Sequence, residues 1–464
     1  MRIPVPFGLH AFQDRTLPVN AQKLINLFPE AQPKDSKNQL LLVNTPGTPL
    51  YQTVGSGPIH GMKVLNDILY VVSGEELYSV TPLGSTLLGT ITGNKRVHIA
   101  HNSVEICIVN GSKGYLYDTT NGVREITNAA FYATNRAVYL ERRFLFPRTG
   151  TRQFFASNAF DGYNYDALYF DQLLIDPENV VSMLADHGEL WVFGKYGTEV
   201  WVYNHNEASF PYSRLDGSFV EKGCGAAQTP AKNDNSFFWL GNDLIIYRAD
   251  GYKPLRISTH AIEQKIRSYD NISEAFGYCF SEGGHQFYEI TFPEYDTWRY
   301  DASTGLWHQA QHGTSGRYHA NCHEFYDNRN IIGDYRNGNI YELDMNVYTD
   351  NGDTIYRTAS TPHIHSGRHR AVMDRIEIDI DAGQGLISGQ GSDPQLMLKY
   401  SDDGGRTWSA ERWANMGRIG EYGRRVRYDN LGMFYQRMFQ IMISDPIKGA
   451  VINAFADVEA ENSY

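Results

Sequence analysis

The chain has 464 residues, 42% apolar and 20% charged, which excludes a disordered, self-repelling polypeptide and leaves room for about three domains. Lys and Arg number 41 against 53 Asp and Glu; the net charge of −12 excludes wrapping of nucleic acid by the whole surface, because phosphate affinity needs cations. Forty-three glycines and a Tyr- and Phe-rich aromatic content of 13% favour strands joined by tight turns over collagen, coiled coil or a disulfide scaffold.

The first residues, Met1 to Phe7, contain two prolines and no apolar run, so no signal peptide is expected. No window approaches about 18 uninterrupted apolar residues, so no membrane insertion is expected and the chain should stay soluble in the cytosol that makes it. Residues 1–58 are rich in proline (Pro4, Pro6, Pro18, Pro29, Pro33, Pro46, Pro49, Pro58). Two readings fit them: an extended arm that docks on a neighbour, or a strand that closes a ring.

From residue 59 a hairpin recurs, an apolar run followed by a short turn and a second run rich in Tyr or Trp. Its copies are Ile68–Val72 with Leu77–Val80, Ile106–Val109 with Tyr115–Asp118, and Arg143–Phe146 with Gln153–Phe155. Next come Leu190–Phe193 with Glu199–Trp201 and Phe237–Leu240 with Leu244–Tyr247. The last are Phe287–Ile290 with Trp298–Asp301 and Ile331–Asp334 with Asn339–Leu343. The spacing of about 35–50 residues is that of four-stranded propeller blades. Residues 59–355 are therefore expected to form a β-propeller of six or seven blades; the competing arrangement is an open meander of hairpins. One helix is expected near Thr259–Ile266, with Ser258 or Thr259 as cap and Ile262 and Ile266 one turn apart.

Beyond a polar linker at Thr361–Gly367 the pattern changes. Arg375–Asp381 alternates strictly, a glycine-rich loop spans Gly383–Gly391, and further short strands follow at Gln395–Tyr400, Arg424–Tyr428, Arg437–Ile443 and Ala450–Ala456. Residues 356–464 are expected to form a C-terminal β-sandwich domain, making the whole chain all-β.

Four motifs bear on chemistry. Ser401-Asp402-Asp403-Gly404-Gly405-Arg406-Thr407-Trp408 fits the pattern Ser-x-Asp-x-Gly-x-Thr-Trp, an Asp box like those of sialidases, where the boxes lie away from the active site. Ser401, Asp403, Gly405, Thr407 and Trp408 are read as a structural turn, with Asp403 accepting from turn amides and Gly405 in a left-handed conformation. The densest basic stretch contains Arg418, Arg424, Arg425 and Arg427, read either as a contact for phosphate or an acidic partner, or as strand faces paired with local acids. His363, His365 and His369 have an alternation that can ligate a metal but no close Cys and no nearer acid than Asp374, so a polar linker is preferred. Cys107, Cys224, Cys279 and Cys322 are far apart and read as buried thiols. No phosphate-binding, dinucleotide, zinc-protease or nucleophile-elbow motif occurs, so no cofactor, no metal and no enzymatic activity are expected.

Several segments in order along the chain carry a resemblance. They are Leu17–Gln22, Ile25–Glu30, Asn44–Thr48, Ala185–Trp191, Arg256–Gln264, Gly333–Gly338, Ser401–Trp408, Met416–Tyr422 and Ile443–Lys448. Together they resemble the packaged-DNA stabilisation proteins of short-tailed bacteriophages, the tail hub or nozzle family. The resemblance implies a structural virion protein of the tail, made in the host bacterial cytoplasm. It implies a homo-hexameric ring below the portal and its adaptor that retains packaged DNA, extends the ejection channel and carries tail fibre or tailspike proteins. The acidic balance fits a lumen that repels phosphate and lets DNA slide. Two other classes compete with it: a carbohydrate-binding or receptor-cleaving propeller, and a monomeric propeller scaffold.

Overall fold

The computed structural model describes residues 1–8, 20–175, 177–206, 209–365, 367 and 369–460; Leu17–Val19, Pro18 among them, and Ser366 of the linker lie outside these. The expected hairpins are the second and third strands of seven four-stranded blades. The first blade runs Ile59–Leu65, Ile68–Ser73, Glu76–Thr81 and Gly84–Thr90, each strand antiparallel to the next. The next five repeat this plan over 98–125, 138–172, 180–214, 231–256 and 276–310. The seventh is composite. It takes Ala320–Tyr326, Arg329–Asp334 and Asn339–Glu342 from one end of the chain and Leu50–Thr53 from the other.

The turns explain why these sheets form. In five blades the first two strands meet through two residues at positive φ: Asn66-Asp67, His187-Gly188, Asp234-Asn235, Gly283-Gly284 and Asp327-Asn328. Such turns match the right-handed twist of a hairpin, and Asn, Asp and Gly tolerate them best. In the fifth blade the third strand begins at Ile246, two residues later than the apolar run suggests, because Leu244 sits in the turn at φ 65°.

No blade buries both faces alone, and the core lies between blades. One cluster joins blades seven and one through Val54, Ile59, Val71, Ile331 and Ile340. Others join one to two, two to three, three to four, four to five and six to seven. The cluster between blades five and six continues into the sandwich, where Trp307 and Tyr288 share a core with Ile376, Ile441 and Ala456.

One sandwich sheet has the order Leu27–Ala31, Leu40–Asn44, Val451–Ala460, Ala371–Ile380, Val426–Phe434, with Arg2–Pro4 also on Val451–Ala460. The other contains Leu24–Ile25, Arg357–Ser360, Gln436–Ile443, Gln395–Ser401 and Arg412–Asn415. Ile25 also pairs in parallel with Gln309 of the sixth blade, so that blade and this sheet form one ten-stranded sheet.

The division expected for the N-terminus therefore needs correction. Residues 1–58 are not a separate extended arm: their described strands complete the sandwich and close the propeller, because apolar residues such as Leu24, Leu27 and Val54 are fully buried there. The linker at 361–367 holds a short strand, Ile364–His365, paired with Gln436–Arg437. The helix is His260–Ile266, capped by the Thr259 side chain, with Ile262 and Ile266 buried.

Candidate functional site

The Asp-box residues close the hairpin that follows Gln395–Ser401. Asp403 accepts from the amides of Arg406 (3.0 Å) and Thr407 (2.9 Å) and from the Thr407 hydroxyl (2.6 Å). The Ser401 hydroxyl donates to Asp403 (2.8 Å) and accepts from the Gly405 amide (2.8 Å). Gly405 has φ 88°, and a Cβ there would lie 2.8 Å from that of Ala21. Its neighbour Asp402 takes a bidentate pair from the buried Arg437, both contacts at 2.7 Å. Ser401, Asp403, Gly405 and Thr407 thus make a turn locked to the sandwich, with Trp408 Cζ2 4.0 Å from where a Gly405 Cβ would lie.

The hydrogen bonds from Thr407 and the surrounding turn hold the Asp403 carboxyl well below its ordinary range. A carboxyl lowered in the folded state adds stability above its unfolded pKa of about 3.9, and that stability is lost as pH falls below it. Asp403→Ala is accordingly expected to lower the melting temperature at pH 7, with the gap from the parent narrowing below about pH 4. Thermal unfolding across that range checks this; a gap constant with pH would refute it.

Three of the four candidate arginines have acidic partners. Arg418 meets Asp393 (3.1 Å), Arg425 meets Glu377 (3.6 Å) and Arg427 meets Asp429 (2.9 Å). No ion pair joins Arg424 among the described residues. The loop that carries Arg418 packs on the glycine-rich loop, where Gly420 donates to the Gly383 carbonyl (3.2 Å). Leu386, Ile387, Ile419 and Tyr422 are exposed on these two loops. The result is a tip of mixed apolar and basic character at one end of the sandwich, suited to a protein contact.

The three linker histidines do not come together as a ligand set: His365 and His369 are exposed and His363 is half-buried. The cysteines form no disulfide; burial raises the Cys107 thiol strongly and that of Cys224 to about 11, so both stay protonated. Two groupings escaped sequence reasoning. The first is a central cavity of about 400 Å3, lined by the first strands of blades one, two, five, six and seven and by Arg136 ahead of the third, and bearing Lys63, Arg96, Arg136, Lys232 and Glu324. Lys63 pairs with Glu324 (2.9 Å), while Arg136 donates to the Met183 and Pro230 carbonyls (3.0 and 2.7 Å). Burial lowers both Arg96 and Arg136 to about 10. The second is His312, His319 and Asp350, whose ligand atoms lie within 4.8 Å of one another. Burial pushes His319 down to about 4. The cavity residues are far apart in sequence and meet through ring closure, whereas His312 and His319 are seven positions apart and Asp350, 31 positions further on, joins them in the fold.

A ring of seven four-stranded blades that shares a sheet with a β-sandwich defines the class: a propeller–sandwich fusion. The family model described as "Bacteriophage P22 Gp10, beta-propeller" matches residues 1–348, and "Bacteriophage P22 Gp10, beta-sandwich" matches residues 356–459. The chain belongs to this phage Gp10 family and is a structural protein of the phage tail. No curated protein matches it. Among solved structures it is similar to the computationally designed Ika8 protein, at 12% identity and TM-score 0.40, over 70% of this chain and 100% of that one. It is also similar to the N-terminal domain of Nup159, at 10% identity and TM-score 0.40, over 70% and 99%. BamB from Moraxella catarrhalis matches at 8% identity and TM-score 0.39, over 70% and 98%.

Proposed function

We propose that this chain is the tail hub, or nozzle, subunit of a short-tailed phage. Six copies form a ring below the portal and adaptor, retain the packaged genome, extend the ejection channel and carry fibre or tailspike proteins. The observation that carries the reading is the family match over both domains in their order. The exposed apolar and basic sandwich tip supports it, because such a surface suits burial in an assembly; Arg424 and its neighbours would then face an acidic partner. The protein acts mechanically, without catalysis, and is made in the host cytoplasm before joining the virion.

The net charge of −12 supports a second element. A lumen lined by carboxylates offers phosphate no attractive sites, so retention comes from a closed gate and release is a low-friction slide. A strongly basic lumen in the assembled ring would overturn this part. Sugar recognition finds less support, since Trp191, Trp201, Trp239, Trp298 and Trp307, five of the seven tryptophans, are core residues.

The test is assembly. Mixed with its adaptor protein, the purified chain is expected to give a ring of six copies by light scattering. A monomer at every concentration, adaptor present, would refute the hub reading.

A further inference from the structure

The segment joining the sixth and seventh blades carries His312 and His319. The short hairpin by which the chain leaves the propeller for the sandwich, Thr349–Asp350 with Asp353–Thr354, carries Asp350. The chain that enters the propeller brings Thr48 against them, where its amide donates to the Thr349 carbonyl (3.0 Å). Three separate segments therefore converge at the junction of the two domains.

Their side chains are arranged around one point. His312 Nδ1 lies 3.1 Å from His319 Nδ1 and 3.2 Å from Asp350 Oδ2. Two ligands each about 2.0–2.1 Å from a tetrahedral zinc ion are separated by about 3.3 Å, so both distances are those of adjacent ligands on one metal. Hydrogen bonding alone serves the group poorly. A single proton on His312 Nδ1 cannot point well at both neighbours. A cation between the three atoms turns these competing contacts into three bonds.

The surroundings orient the ligands as metal sites require. The Thr48 hydroxyl donates to Asp350 Oδ1 (2.9 Å), leaving Oδ2 to face the histidines. Asp353 Oδ2 stands 3.6 Å from His312 Nε2, on the side of the ring away from the other ligands. At that distance the carboxylate acts on a ligating imidazole by its charge and not by a hydrogen bond. His319 is held in place by stacking on Tyr318, with ring centroids 4.6 Å apart.

We propose that His312, His319 and Asp350 bind one divalent transition-metal ion that fastens the hairpin at the exit of the propeller to the link between its last two blades. Two imidazoles and one carboxylate select a borderline cation such as Zn2+, Co2+ or Ni2+ over Mg2+ or Ca2+, which require oxygen ligands. Solvent takes the fourth position. The role is structural: the ion ties the entry and exit of the propeller to the link between its last two blades.

The test uses the full-length protein, stripped with chelator and titrated with Co2+. One equivalent is expected to bind with the visible absorption of four-coordinate cobalt, and Zn2+ is expected to displace it. The loaded protein should also resist proteolysis between the two domains better than the stripped one. His312→Gln and Asp350→Asn should each weaken binding at least 100-fold, and Thr48→Val about 10- to 100-fold. His312 is partly exposed, so its variant remains informative if Asp350→Asn does not fold. No saturable uptake of either metal by the parent, or unchanged uptake in His312→Gln, would overturn the proposal.

Discussion

A chain that begins at Gly57 is expected not to fold, in either domain. Removing the preceding residues deletes Leu50–Thr53, the outer strand of the seventh blade, whose partners are Asn339–Glu342. It deletes Val54 from the cluster that joins the seventh blade to the first. It also takes Arg2–Pro4, Leu24–Ile25, Leu27–Ala31 and Leu40–Asn44 from the sandwich. Phe28 goes with them, and it packs edge-on against His285 and Phe287 of the sixth blade. Leu24, Leu27, Phe28 and Val54 are essentially fully buried, and their burial alone is worth about 6–12 kcal/mol. Typical domain stabilities are about 5–15 kcal/mol, so the loss is of the size of the whole. Circular dichroism and limited proteolysis read the result. A soluble, protease-resistant truncation with the parent's melting temperature would make the segment an accessory.

The second large effect concerns a charge pair sealed inside the sixth blade. Arg299 is 1% exposed and Glu289 is 0% exposed, and Arg299 Nε donates to Glu289 Oε2 at 2.9 Å. Tyr278 donates to the other carboxylate oxygen, and the guanidinium lies 5.1 Å from the Phe280 ring centroid and 5.2 Å from that of Tyr318. Arg299→Ala leaves Glu289 charged, buried and unpaired, and is expected to cost about 3–5 kcal/mol. Denaturant titration of parent and variant measures this. A double variant that replaces both residues with apolar ones of similar volume should recover most of the loss, because the pair's attraction largely offsets its desolvation. A cost below about 1 kcal/mol for Arg299→Ala would mean that water reaches the site.

The blades were legible because two properties coincide in their middle strands. Ile106–Val109 and Leu190–Phe193 are buried on both faces, so they read as apolar runs, and a tight turn follows each. The first strands were harder to see. Ala231–Asn233 is short and half-exposed, with no apolar run, and only the turn Asp234-Asn235 betrays it. Segment 1–58 misled in a different way. Its prolines suggest extension, and strands are extended too; local sequence does not say whether the partner is a neighbouring molecule or the same chain several hundred residues on. The histidines make the same point. His363 and His365 have a ligand-like spacing and do not meet, whereas His312, His319 and Asp350 have no recognisable spacing and do. Alternation assigns a side chain to a face, and only the closed ring assigns it neighbours.

The composite seventh blade has a consequence for synthesis. Leu50–Thr53 leaves the ribosome long before Asn339–Glu342, which it must join, and Arg2–Pro4 waits longer still for Phe455–Asp457. At about 5–20 residues per second the first delay is roughly 15–60 s. Throughout that interval the early strands have unpaired edges and exposed apolar faces, while neither domain can close. The polypeptide therefore finishes folding only after Phe455–Asp457 has emerged, and a cell producing many copies at once needs a chaperone to keep the waiting edges of different nascent chains apart.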